Sequence, residues 1–159
     1  MAAAGPAVVG QGSQVKGTVP RAVGDPAAAT AAAGMVRGFG ADLYRHLARS
    51  AGNLACSPYS VAVALAMTRN GARGRTADEM DRVLHAPSLP QLNDGLGALE
   101  VLLEKHSGRV HRMDGSEAEI ALRVANSLWG QQDFAWRTAF LDALARHYDA
   151  GMRQVDYRA

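Results

Sequence analysis

The chain has 159 residues, 48% of them apolar, enough for one domain that hides roughly two-thirds of its unfolded surface. Net charge is +2, arginine far outnumbers lysine, and the charges are scattered, so no basic block of the kind that grips nucleic acid is present. Cys56 is the only cysteine, which excludes an internal disulfide and a multi-cysteine metal site, and no run approaches the ~20 apolar residues that span a bilayer.

Residues 1–33 are mostly Ala, Gly, Pro and Val with few large apolar groups, a composition whose burial does not offset the entropy of ordering, and they read as a disordered lead. The opening MAAAGPAVVGQGSQVKG has no cationic start ahead of its short, glycine-broken apolar stretch, so no export signal is visible and a cytoplasmic location is expected. Further on, Val36, Phe39, Leu43 and Leu47 recur at threes and fours along one face of a helix ending near Ser50, with Gly52 just beyond. Asn53 leads a short apolar stretch to Cys56. Ser57-Pro58 then has the chemistry of a helix start, a hydroxyl cap followed by proline at the first helical position. The run from Val61 to Met67 covers every side of that helix with apolar groups, as in a helix buried within a domain.

Gly71 and Gly74 break the helix, and Thr76-Ala77-Asp78-Glu79 reads as a capping box opening a third one, with Met80, Val83 and Leu84 inward. Ser88 with Gln91 resembles another such box. Leu92, Leu96, Leu99 and Leu103 line a fourth helix, weakened by Gly95 and Gly97. Residues 105–118 read as a polar loop. Ile120, Leu122, Val124, Asn126 and Leu128 then alternate with Ala121, Arg123, Ala125, Ser127 and Trp129, a period of two that predicts one long strand. After a turn at 131–133, Phe140, Leu141, Leu144 and Tyr148 mark a helix over 137–148, and residues 152–157 read as a terminal strand with no partner after it.

Three stretches in this order resemble the N-terminal part of the serpin family, serine protease inhibitors that work by conformational trapping. Gly38-Phe39-Gly40-Ala41-Asp42-Leu43-Tyr44 resembles the family's first helix. Residues 53–76 resemble its most recognisable N-terminal block: Asn, an apolar triplet, Ser-Pro-x-Ser, an alanine-rich helix with Leu65-Ala66-Met67, then Gly-Ala-x-Gly-x-Thr. Ala125-Asn126-Ser127-Leu128-Trp129, Phe140-Leu141, Tyr148-Asp149-Ala150 and Val155-Asp156-Tyr157 follow the family's strand, helix, strand order. Arg69 and Asn70 depart from it, standing where the family tends to be apolar, and Ala55-Cys56 is smaller than the usual bulky pair.

The resemblance implies an α+β fold class, the N-terminal helical part of the serpin fold with one or two strands of its main sheet, incomplete, over residues 34–159. It implies structural roles for Asn53, Ser57, Pro58, Ser60, Gly71, Thr76 and Asn126. Ser57 and Ser60 would be hydroxyls of the shutter, where the main sheet parts to admit a new strand, and Asn126 would lie on the sheet's second strand. Buried hydroxyls must find partners and can exchange them as strands slide, which suits such a place. A complete serpin is more than twice this length. Its reactive-centre loop, the alanine-rich hinge and the receiving strands match nothing here, so the expectation is a fragment that does not inhibit alone. The partners implied are a serine protease, in some cases a cysteine protease, and a complementary C-terminal fragment; no cofactor, metal, nucleic acid or membrane is expected, and no enzymatic activity. Family members are often extracellular. The alternative is a non-inhibitory interaction module, or truncated gene product, that pairs through its unpaired strand.

The sharper chemistries are weaker. Ser57 lacks the glycine-flanked elbow and the His and Asp partners of a nucleophile, which leaves a structural cap. The run from Gly71 to Thr76 faintly resembles a phosphate loop, yet lacks the Lys-Ser/Thr ending and the preceding strand. His46, His85, His106, His111 and His147 show no close ligand spacing. Lys105, Arg109 and Arg112 fall in a region that binds polyanions in some family members, but read as a solvated surface. Cys56, Trp129 and Trp136 are expected in the core.

Overall fold

The computed structural model describes residues 13–122 and 124–158. Among them the order is β1 (Gln14–Val15), α1 (Pro26–Leu47), α2 (Pro58–Arg69), α3 (Gly74–Val83), α4 (Leu89–Glu104), β2 (Gly108–His111), β3 (Glu117–Ile120), β4 (Leu128–Gln131), α5 (Thr138–Tyr148) and β5 (Met152–Val155). Four helices thus separate β1 from β4, and α5 separates β4 from β5, its companions in a three-stranded sheet of order β1-β5-β4, and β2 and β3 form a separate hairpin.

The first helix starts ten residues ahead of the apolar face that announces it. Asp25 accepts the Ala27 N–H at 2.9 Å and Pro26 opens the helix, so the alanine-rich run after them belongs to α1 rather than to a disordered lead. Residues 1–12 of that lead lie outside the described residues. Small side chains here serve close packing. A Cβ at Gly95 of α4 would lie 2.9 Å from Ala32 Cβ and 3.0 Å from Ala28 O, and one at Gly97 would lie 2.8 Å from His147 O of α5. The two glycines that weaken α4 as an isolated helix therefore let α1 and α5 lie against it.

Met67, Leu84, Leu92, Leu96 and Leu144 are the largest fully buried side chains, one or more from each of α2, α4 and α5 and from the end of α3. Burial is less complete than an all-apolar α2 predicts, because Val61 is exposed, and on α3 Val83 faces solvent while Leu84 is buried.

The long strand expected over 120–129 is two short ones. β3 ends at Ile120, β4 begins at Leu128, and no strand is formed between them among the described residues, which omit residue 123. Alternation says which side chains share a face, but a strand forms only where a neighbour takes its backbone bonds. Here the Ser107 hydroxyl serves Leu122, accepting its N–H at 2.9 Å and donating to its carbonyl at 3.1 Å. The polar loop over 105–118 is in fact largely hairpin: Gly108 to His111 pair with Ile120 to Glu117, around an Asp114-Gly115 turn in which Gly115 has φ +81°. The terminal strand also has partners, β4 in parallel and β1 antiparallel.

Candidate functional site

Ser57 sits just outside α2 in an extended conformation, and its Oγ accepts the Ser60 N–H at 3.3 Å and lies 3.0 Å from Ser60 Oγ. Pro58 occupies the first helical turn, so the start of α2 is the capped, proline-led terminus that its sequence announces. Ser57 is exposed, Ser60 is half-buried, and Asn53 lies on the exposed approach with no regular structure. Cys56 is exposed as well, contrary to expectation, because among the described residues nothing packs over the segment between α1 and α2.

At the far end of α2 the chain turns at Gly71, whose N–H bonds the Thr68 carbonyl at 3.0 Å. Thr76 does not cap α3. The helix begins at Gly74 with Arg73 as its flanking residue and no side-chain cap, which puts Thr76 already inside the first turn. Glu79, needed for the reciprocal half of the box, is drawn off to Arg75 at 2.7 Å. Thr76 instead lines an open apolar cleft with Trp129, Trp136 and Phe140. Trp129 is exposed, with the Arg153 guanidinium 5.5 Å above its ring, whereas Trp136 is half-buried between Phe134 and Phe140.

Asn126 lines a cavity of about 310 Å³ bounded by Val63 and Met67 of α2, Tyr148 of α5, and Arg21 and Glu100. No hydrogen bond joins it to Ser57 or Ser60 among the described residues. The structure therefore joins the two serines to one another and not, by any hydrogen bond among the described residues, to Asn126.

Under this cavity lies a polar cluster that the sequence pattern does not assemble. Asn70 and Asn93 exchange amide hydrogen bonds at 3.0 and 2.9 Å, Asn70 also donates to the Ala66 carbonyl at 2.9 Å, and the Tyr148 hydroxyl donates to Asn93 Oδ1 at 2.6 Å. All three residues are buried, and burial pushes the Tyr148 hydroxyl well above the ordinary tyrosine range. The one advance signal was Asn70, polar where an apolar residue fits the pattern. Beside it Arg69 makes a two-pronged contact to Asp81, both bonds 2.7 Å, tying α2 to α3.

On the cavity's other wall the Arg21 guanidinium bonds Glu104 at 2.9 Å and lies 3.2 Å from Glu100 without hydrogen-bond alignment. Burial raises the Glu100 carboxyl above its ordinary range, with Arg21 opposing the shift. Burial also pushes up Tyr59, whose hydroxyl has no partner within the described residues.

Nothing in these contacts assembles an acid, a base and a nucleophile. Among the described residues the Ser57 hydroxyl bonds only Ser60. Arg73, in the glycine-rich turn, donates to the carbonyls of Asn70 and Ala72 at 3.0 and 2.6 Å, so its charge is spent on a helix C-terminus. Four of the five histidines have separate partners: His85 with Asp42, His106 with the Leu102 carbonyl, His111 with Glu117, His147 with Asp94. Among the described residues no three metal-ligating side chains gather. Arg109 is exposed on the hairpin, 3.6 Å from Glu117.

What this geometry defines is an α+β arrangement in which helices pack beside small sheets. Residues 35–159 match the serpin family, described as serine protease inhibitors, and the chain belongs to it. It is similar to an uncharacterized serpin-like protein of Thermococcus kodakarensis, 37% identical over 125 residues that are 77% of this chain and 27% of that protein. Ipis-1 of Ixodes persulcatus is 32% identical over 123 residues, and a leukocyte elastase inhibitor of Xenopus tropicalis 31% identical over 121; each alignment covers 75% of this chain and 30% of the relative. The chain thus spans about 30% of the length of these curated relatives.

Proposed function

We propose that this chain is the helical base and first sheet strands of a serpin-type serine protease inhibitor that traps its target by conformational change, and that it has no catalytic role of its own. The family match over residues 35–159 carries the reading. The capped start of α2 supports it: Ser57 and Ser60 hold one another where a sliding strand would exchange partners with them, and Asn126 belongs to the same shutter once the sheet continues past β4. In this reading Asn53, Pro58, Gly71 and Thr76 shape the entry and exit of α2 and touch no substrate. The protease is the partner of the whole inhibitor, and the residues that choose it lie outside the sites described above.

The test is to incubate the whole gene product that contains this span with trypsin-, elastase- and subtilisin-type proteases. A detergent-stable complex with the summed mass of both proteins is expected. Plain cleavage across the panel, with no such complex and no rise in thermal stability after cleavage, overturns it. A second reading, an interaction module, is favoured by one observation: β4 has a strand on one flank only among the described residues. In that reading a complementary C-terminal fragment binds the 159-residue chain and no protease is trapped.

A further inference from the structure

Residues 13–25 precede the span that matches the family, yet they are fixed at several points to the sheet and helices. The Ser13 carbonyl accepts the Gln154 N–H at 2.8 Å, and the register sets Gln14 against Arg153 and Val15 against Met152. Lys16 is ion-paired with Asp149, Arg21 with Glu104, and Ala22 donates to the Arg146 carbonyl at 2.8 Å. Val15 packs against the hydrophobic core. A Cβ at position 151 would lie 2.7 Å from the Val15 carbonyl, so the glycine there leaves room for this segment.

Antiparallel alternation then divides the backbone of β5 between its two neighbours. Met152 and Gln154 turn their N–H and C=O groups toward β1, whereas Arg153 and Val155 turn theirs toward β4. The Gln132 N–H, bonded to the Val155 carbonyl at 3.1 Å just beyond β4, agrees with that division.

We propose that the outer edge of β5 is a strand-acceptor site and that residues 13–16 are its built-in occupant, closing that edge so that strand addition is left to the flank of β4 that has no neighbour among the described residues. The site takes an extended peptide by main-chain pairing, a β-branched side chain against the core, and a cation one residue later facing Asp149. An open edge here would template pairing between copies, so the segment also keeps the chain single. This inference stands apart from the inhibitor reading and does not depend on it.

Amide hydrogen exchange tests it, comparing the full chain with a chain lacking residues 1–16. Met152 and Gln154 should exchange at least about 10-fold faster in the shortened chain, and Arg153 and Val155 by less than about 2-fold. A synthetic peptide of residues 13–20 should restore slow exchange, and its Lys16→Glu version should bind about 5-fold more weakly. The full-length Val15→Pro chain, which lacks the N–H that the register gives to the Met152 carbonyl, carries the same four-amide comparison should the shortened chain fail to fold. Unchanged protection at Met152 and Gln154, or equal acceleration at all four amides, overturns the proposal.

Discussion

Replacing Asn93 by leucine, a side chain of similar volume, isolates what the buried polar cluster contributes. The change strands three groups: Asn70 Oδ1, one Asn70 N–H and the Tyr148 hydroxyl. Asn93 is 5% exposed, so water does not take over its bonds. At ~1–3 kcal/mol for each stranded group the loss is ~3–9 kcal/mol, and burying a leucine returns ~1–2 kcal/mol, leaving a net cost of about 1–8 kcal/mol. The sharper signature is in Tyr148→Phe. Alone it removes one hydrogen bond and costs ~1 kcal/mol, because Asn93 Oδ1 keeps its bond from Asn70. In the Asn93→Leu chain it removes a stranded hydroxyl and should restore ~1–2 kcal/mol. Urea unfolding followed by tryptophan fluorescence supplies the four stabilities. An effect of Tyr148→Phe with the same sign and size in both backgrounds, with coupling below ~0.3 kcal/mol, refutes the reasoning.

Ser57→Ala removes the cap of α2 and should lower stability by ~1 kcal/mol in the same urea assay; a specific hydrolytic activity lost with this change would instead make Ser57 a nucleophile. Gly95→Ala raises helix propensity by ~1 kcal/mol, but its methyl meets Ala32 Cβ and the Ala28 carbonyl, neither of which can swing aside, so a net loss of ~1–3 kcal/mol is expected and a stabilised chain would contradict the close α1–α4 approach. His147 is half-buried, and burial lowers its pKa, with Asp94 at 3.4 Å opposing the shift. The unfolded chain therefore binds a proton more readily between the lowered folded pKa and about 6.5. His147 contributes stability that is present above about 6.5 and is lost as pH falls toward the folded pKa. His147→Gln should flatten the fall in urea midpoint between about pH 7.5 and 5.5, and parallel pH profiles for the two chains would show that burial does not govern this group.

Residues whose local chemistry is self-contained were the legible ones. Ser57-Pro58 and Ser88 cap their helices as read, because a cap needs only its own next three residues. The leucines of α4 and the face of α5 were equally plain, since a 3.6-residue period reports burial directly. What escaped depends on partners far along the chain. Thr76 looked like a cap until Arg75 claimed Glu79 and the helix began earlier. The alternation through residues 120–129 looked like one strand, because periodicity marks faces and not neighbours. For the candidate site, the Ser57 cap was visible beforehand, whereas the joining of Asn70, Asn93 and Tyr148 arises only when α2, α4 and α5 pack together.

The pairing of β1 with β5 also imposes a schedule on biosynthesis. Ser13 and Gln154 are 141 residues apart, so at about 5–20 residues per second the N-terminal segment emerges on the order of ten seconds before its partner exists. During that interval it must remain solvated without recruiting another nascent chain. Ser13, Gln14 and Lys16 around a lone valine suit a segment that has to wait, and the outer boundary of the sheet is sealed only as β5 is made.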